Sequence, residues 1–133
     1  MYLVYILKSE DNKKSYIGMT NDFFKRWMQH NKIIKGGAKY TSKYNNWKPV
    51  CIIDGFKNKS EAMQCEWRLK HMKVRGYYNR LIHLSMILEN SNSKENIRWT
   101  SKSPTISTQG LSIYVIEKYK HLFHINTQEL YWF

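Results

Sequence analysis

Cysteine is nearly absent. The 133 residues hold two, Cys51 and Cys65, each inside an apolar pattern. Neither belongs to a C-x-x-C pair and no His/Cys set has zinc-ligand spacing, which excludes a zinc module. Buried free thiols in a reducing compartment are expected. Long apolar runs are also missing. None approaches the roughly 20 residues that a membrane span needs, so no membrane partner is expected. Lys8, Glu10 and Asp11 cut the first apolar run too short for a signal peptide. These absences point to an intracellular protein, in nucleus or cytoplasm. No internal repeat is visible. Acidic residues are scarce, 10 against 22 Lys and Arg.

What is present is positive charge, aromatic rings and enough apolar residues for a core. The formal net charge is +12 and the sequence pI is near 9.7. A surplus of that size favours polyanions as partners. It is unevenly placed. Residues 1–83 hold 17 Lys and Arg against 6 Asp and Glu, whereas residues 84–133 hold 5 against 4. The first part is expected to face the polyanion, as one domain over 1–83. An extension over 84–133 would pack on that domain or mediate a homodimer. Abundant lysine and asparagine also fit an AT-rich genome such as a virus carries.

Local patterns predict a mixed α/β (α+β) chain. Residues 2–8, rich in Tyr, Val, Ile and Leu, read as a strand. Ser9-Glu10-Asp11-Asn12-Lys13 reads as a turn, and residues 14–20 as the antiparallel partner strand. Gly18, late in that strand, marks a bulge or a close approach. Thr20 or Asn21 can cap a helix to about Ile34, on which Arg26 and His30, four apart, share one face. Lys35-Gly36-Gly37 ends it, and a basic loop follows. Trp47 to Phe56 reads as a third strand. Pro49 suggests an edge position, while the unbroken run Val50-Cys51-Ile52-Ile53 suggests burial on both faces. Ser60 caps a helix to about Lys73, with Ala62, Met63, Trp67 and Leu69 as its apolar positions and Glu66 at mid-helix. Residues 77–88 continue as a third helix and residues 90–110 as a linker or a long surface loop. The apolar stretch 111–125 is read as helical, and the end, Tyr131-Trp132-Phe133, as a docking segment.

Singly, each polar residue in these elements has an ordinary explanation. Tyr5 and Tyr16 suit strands, Arg26 suits a solvated helix, and Asn79 suits a turn. Together they supply what phosphodiester hydrolysis requires. A hard divalent cation such as Mg²⁺ (or Mn²⁺) accepts one carboxylate and keeps its waters, and Glu66 offers that carboxylate. The pentavalent phosphate gathers negative charge, which Arg26 can neutralise. An attacking water must lose a proton, and Tyr5 or His30 can take it. A tyrosine base, with a pKa normally near 10, needs help from its surroundings.

Val4-Tyr5-Ile6 and Tyr16-Ile17-Gly18 resemble the paired triads of the GIY-YIG nucleases, and Arg26 falls ten residues after Tyr16, where that family has its arginine. The segment Phe24-Lys25-Arg26-Trp27-Met28-Gln29-His30-Asn31, followed by Lys35-Gly36-Gly37-Ala38 and Thr41, is similar to the Slx-type branched-DNA nucleases. Trp47, Val50, Gly55-Phe56, Ala62 and Glu66-Trp67 extend the likeness. Gly76-Tyr77-Tyr78-Asn79 resembles the segment with the family's late asparagine. The resemblance covers roughly residues 2–83. It implies a GIY-YIG fold, a central three-stranded sheet flanked by helices, here with a C-terminal helical extension. It also implies single-metal cleavage of branched DNA (flaps, forks, Holliday junctions) in repair or recombination. Glu66 would hold the metal, Tyr5 or a neighbour would activate water, and Tyr16 would position the nucleophile or the phosphate. Arg26 would stabilise the transition state, His30 would assist proton transfer and Asn79 would brace the site. Lys8, Lys13, Lys14, Lys39, Lys43, Lys70, Lys73 and Arg75 are the candidate backbone contacts.

Three departures stand out. Val4 replaces the first triad's glycine, Met19 stands where excision-repair relatives have lysine, and these 133 residues hold no cysteines like those of the zinc domain into which Slx-type proteins usually continue. A scaffold partner would therefore dock by other means. A sequence-targeted nuclease of the homing or restriction kind would need a base-reading module, and none is recognisable. A non-catalytic DNA-binding module would need a broken constellation, and none of the expected side chains is missing.

Overall fold

A computed structural model describes residues 1–44, 46–92 and 96–130. The chain begins with a hairpin, β1 (Tyr2–Lys8) and β2 (Ser15–Thr20), paired antiparallel with Tyr5 opposite Gly18. Its turn closes through Ser9, whose amide donates to the Lys14 carbonyl at 2.9 Å, and through Asn12 in the left-handed region at φ 64°. Asn tolerates that conformation better than most residues.

α1 (Phe23–His30) starts at Asp22, not at Thr20 or Asn21. The Asp22 carboxylate accepts from the Lys25 amide and so fills an orphan donor of the first turn. The helix stops at His30, four residues short of the predicted Ile34. Asn31 is diverted to a tertiary task there. Its side chain accepts from the Trp47 amide at 2.6 Å and donates to the Trp47 carbonyl at 3.0 Å. Gly36 and Gly37 then fold back on the last turn. A β-carbon at Gly37 would overlap the Gln29 carbonyl oxygen, and Gly36 has φ +107°.

β3 (Lys48–Phe56) is a central strand, which corrects the edge position suggested by Pro49. It pairs antiparallel with β1 on one side and with β6 (Ser112–Val115) on the other. Pro49 is accommodated because β6 reaches only Cys51 to Asp54 and because the register on β1 slips between Ile6 and Leu7, where Pro49 falls. Val50 to Ile53 are buried, as a strand covered on both faces must be. α2 (Lys59–His71) is capped by Asn58, not Ser60, and buries Ala62, Cys65 and Leu69. Met63 and Trp67, the other two apolar positions of this helix, are about half exposed. α3 runs Gly76–Asn92.

The region after α3 differs most from expectation. Residues 96–107 are not a linker: β4 (Asn96–Ile97) pairs with β5 (Ile106–Ser107), and Ile97, Trp99 and Ile106 are buried. The stretch 111–125 is not an α-helix. It forms β6, then a 3-10 segment at Glu117–Leu122. β7 (Gln128–Glu129) lies parallel to β6, so among the described residues the sheet has five strands, not the expected three, in the order β2-β1-β3-β6-β7. The free side of β3 supplied the backbone partners that turned an ambiguous apolar run into a strand. The predicted docking segment 131–133 lies outside the described residues.

The sheet separates two cores. On one face Val4, Ile6, Val50, Cys51 and Ile53 meet Ala62, Cys65 and Leu69 of α2 and Leu81, Leu84 and Leu88 of α3, with Trp99, Ile113, Val115 and Tyr119 from the later residues. On the other, Tyr5, Leu7 and Ile52 meet Phe23 of α1, Trp47 and Leu130. The period of two along β1 sends neighbours to opposite faces. Each fully buried large aliphatic side chain contributes roughly 1.5–3 kcal/mol, which fixes the strands that carry Tyr5 and Tyr16.

Candidate active site

Tyr5 points from the middle of β1 across its cross-strand partner. Gly18 is glycine for that reason: a β-carbon there would overlap the Tyr5 hydroxyl oxygen. Room for the phenol lets it reach His30, with Tyr5 Oη 2.8 Å from Nε2. The other ring nitrogen, Nδ1, is 2.8 Å from Thr41 Oγ1. The Thr41 hydroxyl donates to the Ala38 carbonyl at 3.0 Å, so it must accept from His30. This fixes the tautomer and the direction of the chain. Nδ1 carries the proton, Nε2 is the acceptor, and Tyr5 donates to it.

The relay is dry. Tyr5, His30 and Thr41 are all buried. Burial, followed by the charge of Arg26, lowers the His30 pKa to about 4, so the imidazole is neutral at physiological pH. Burial, and then the neighbouring Tyr16 phenol, push the Tyr5 pKa well above its ordinary value, with Arg26 opposing. Trp47 holds the threonine in place. Its indole N–H donates to the Thr41 carbonyl at 3.0 Å, and Trp27 donates to the Trp47 carbonyl at 2.8 Å.

Around this relay stand the other charged groups. Arg26, one turn before His30, donates to Gln29 Oε1 at 2.9 Å and to the Gly36 carbonyl at 2.8 Å. Two neutral acceptors orient its guanidinium without cancelling its charge. Tyr16 sets its ring 4.8 Å from that of His30 and stacks with Tyr40 at 6.2 Å and 22°. Glu66 projects from α2 with its side chain 22% accessible, and its charge is felt at Tyr5. Its one ion pair among the described residues is a loose contact of 3.7 Å with Lys70. No group of three or more His, Cys, Asp or Glu gathers among the described residues. A lone, accessible, loosely paired carboxylate fits a hard divalent cation that retains most of its waters. It does not fit a four-ligand zinc site.

Five of the six candidates, Tyr5, Tyr16, Arg26, His30 and Glu66, thus lie in one region. Asn79 does not join them through any contact described. It is exposed and its amide donates to the Arg75 carbonyl at 3.0 Å. Its neighbour Arg80 does, donating to Ser15 Oγ beside Tyr16. Among the basic candidates, Lys70 comes closest to the site, with Nζ 5.7 Å from the Tyr16 ring centre. Lys39 and Lys43 bracket the turn that holds Thr41, and both are exposed. Lys14 lies over Tyr44, and Lys8 is tied to Asn12. Lys13, Lys73 and Arg75 are exposed. The functional reading of the sequence assigned no role to Thr41, Tyr40 or Arg80. Each reaches the site from 24 or more residues away from Tyr16, and no local spacing encodes that.

Residues 1–79 match the GIY-YIG catalytic domain. The chain belongs to the GIY-YIG family. It is 43% identical over 72 residues to the structure-specific endonuclease subunit slx1 of Schizosaccharomyces japonicus, a stretch covering 53% of this chain and 26% of that protein. It is 44% identical over 68 residues to the protein of that name from Phaeosphaeria nodorum, covering 50% and 19%. With the homologue from Giardia intestinalis it shares 41% identity over 66 residues, covering 50% and 18%. The match thus spans about a quarter of those relatives' length or less. Among the described residues, no helix of this GIY-YIG chain is long and apolar enough to cross a membrane.

Proposed function

We propose that this chain is a structure-selective endonuclease that hydrolyses phosphodiester bonds in branched DNA (flaps, forks or four-way junctions), in repair or recombination. The observation that carries the reading is the grouping of a buried phenol–imidazole–hydroxyl relay, a guanidinium and one carboxylate, brought together from β1, α1, the Thr41 turn and α2.

GIY-YIG nucleases generally depend on a divalent metal; here we propose Mg²⁺ or Mn²⁺, held by Glu66. When bound, the ion supplies positive charge at the scissile phosphate and lowers the pKa of the attacking water. Tyr5 takes the proton of that water while passing its own to His30 Nε2. A phenol that loses and gains a proton together never carries the full charge its dry site opposes. The water oxygen bonds to phosphorus, the bond to the leaving oxygen breaks, and solvent protonates that oxygen. Arg26 faces the added charge of the pentavalent state, and loss of one such donor costs about 3 kcal/mol. Tyr16 positions the phosphate, and Asn79 steadies the first turn of α3.

In this reading residues 1–83 are the nuclease unit and 84–133 an extension that packs on it. The relatives are named as subunits, so we also propose a second, scaffold subunit, with a homodimer as the competing assembly. The test uses the full chain with labelled linear, flap, fork and four-way DNA, in Mg²⁺, Mn²⁺ or EDTA. Cleavage of branched DNA in metal and none in EDTA is expected. Equal cutting of linear duplex would remove the structure selectivity, and no cutting of any substrate would remove the nuclease reading.

A further inference from the structure

Arg80 lies outside every role assigned above, yet it is set against the site. It enters from α3, 65 residues after the residue it touches, and donates through one terminal nitrogen to Ser15 Oγ on β2. Its Nε is buried and has no hydrogen-bond partner among the described residues. A buried guanidinium donor without an acceptor costs on the order of 1–3 kcal/mol, which an anionic partner would return. The side chain lines a hollow of about 280 Å³ with Ser15, Tyr16, Ile17, Tyr40 and Lys70. Two of those six groups are cations and none is a carboxylate. Two are the phenols of Tyr16 and Tyr40, stacked on each other, with Lys70 Nζ 5.7 Å from the Tyr16 ring centre. Burial also lowers the Arg80 pKa, the cost of holding this charge out of water.

We propose that Arg80 and Lys70 form a subsite for a DNA backbone phosphate adjacent to the one that is cut, with Arg80 as its positioning residue. This rests on the nuclease reading and deepens it. The hollow shares Tyr16 with the relay side of the site, so the phosphate seated there is a neighbour of the scissile one. Arg80 offers planar N–H donors in a fixed fork, the arrangement that suits a phosphate. Lys70, only loosely paired with Glu66 at 3.7 Å, adds a point charge. Seating one phosphate fixes the register of the strand, and the chemical groups then meet the next bond.

The test measures binding of the full chain to a labelled four-way junction in EDTA by fluorescence anisotropy across a salt series. The parent is compared with Arg80→Gln, Arg80→Lys and Ser15→Ala. Arg80→Gln should bind about tenfold more weakly and its log–log salt slope should become shallower by about 1, because one fewer counterion is released. Arg80→Lys keeps the charge and should keep the slope. Ser15→Ala removes the brace but no charge, and should also keep it. An unchanged slope in Arg80→Gln overturns the subsite. So does an equal loss in Ser15→Ala, which would make Arg80 a strut for β2. If Arg80→Gln fails to fold, single uncharged methylphosphonates are placed along the strand for the parent and for Arg80→Lys. One position near the cut should weaken the parent about tenfold and Arg80→Lys less, and identical profiles overturn the proposal. A parent that binds no DNA at all is a different failure, since it removes the nuclease reading itself.

Discussion

The two faces of the central sheet use buried polar groups in opposite ways. Under α2 and α3 the packed layer against the sheet is apolar, and the two thiols within it are silent. Burial pushes the Cys51 thiol up to about 12 and raises Cys65 well above its ordinary value, so both stay neutral. Under α1 the face holds Tyr5, His30 and Thr41 in one directed chain of hydrogen bonds. The two thiols of the first face are held protonated and take no part in proton transfer. The second face is built so that a proton can move without either partner leaving its place. Yet Glu66, which would hold the cation, is mounted on a helix of the silent face.

The sharpest way to break the comparison is Glu66→Gln. It keeps size and packing but deletes the charge a hard cation needs. Cleavage should fall at least about a thousandfold, some 4 kcal/mol or more, while anisotropy shows DNA binding retained. Parent-rate cutting by a folded variant would sink the metal assignment. Next comes Leu84→Ala on the apolar face. A fully buried leucine costs roughly 3–4 kcal/mol when truncated. Urea denaturation should show that loss, while the rate per folded molecule at low temperature stays at the parent value. A lower rate without lower stability would mean that the two faces are not separable in this way.

The third prediction concerns pH. The folded pKa of His30, about 4, lies below the unfolded value near 6.5. The unfolded chain therefore binds more protons between those values, and stability falls as pH drops from 6.5 to 4. The loss from this one group is on the order of 3 kcal/mol. His30→Gln, which cannot titrate, should give a flatter curve over that window. Parallel curves would refute the claim that His30 is held neutral. The smallest effect is expected from Thr41→Val, which keeps shape but removes the acceptor for His30 Nδ1–H. A stability loss of about 1–2 kcal/mol and roughly tenfold slower cleavage are expected from the freed tautomer. An unchanged rate would mean the ring needs no such fixing.

Much of this was legible in sequence because the signals were local. Tyr5 and Tyr16 sit in strands long enough to show a period of two. Arg26 and His30 are one helical turn apart, so their shared face follows from spacing alone. Gly18 signalled close approach before its partner was known. Other features had no local signal. β6 has four residues inside an apolar run that also fits a helix, and only the free side of β3 made it a strand. β4, β5 and β7 have two residues each, too short for any periodicity. Asp22 won the cap of α1 over Thr20 and Asn21 because its carboxylate, three residues before Lys25, meets that amide. Arg80 is one arginine among many until the fold brings it to Ser15.

The helix that carries Glu66 has three duties on three flanks. Ala62, Cys65 and Leu69 are wedged in the apolar layer, Glu66 and Lys70 look to the site, and Met63 and Trp67 stay about half exposed. Such a cylinder behaves like a camshaft. A misfit under its inner flank need not shift it bodily; a roll is enough. With side chains ending some 5–6 Å from the axis, a roll of about 20° swings the carboxylate by roughly 2 Å. In the proposed role of Glu66 as the ligand of a small hard cation, which demands oxygen at about 2.0–2.1 Å, the rotational play this helix could tolerate would be narrow. Under that proposal the tight inner wedge would be an alignment device as well as a source of stability.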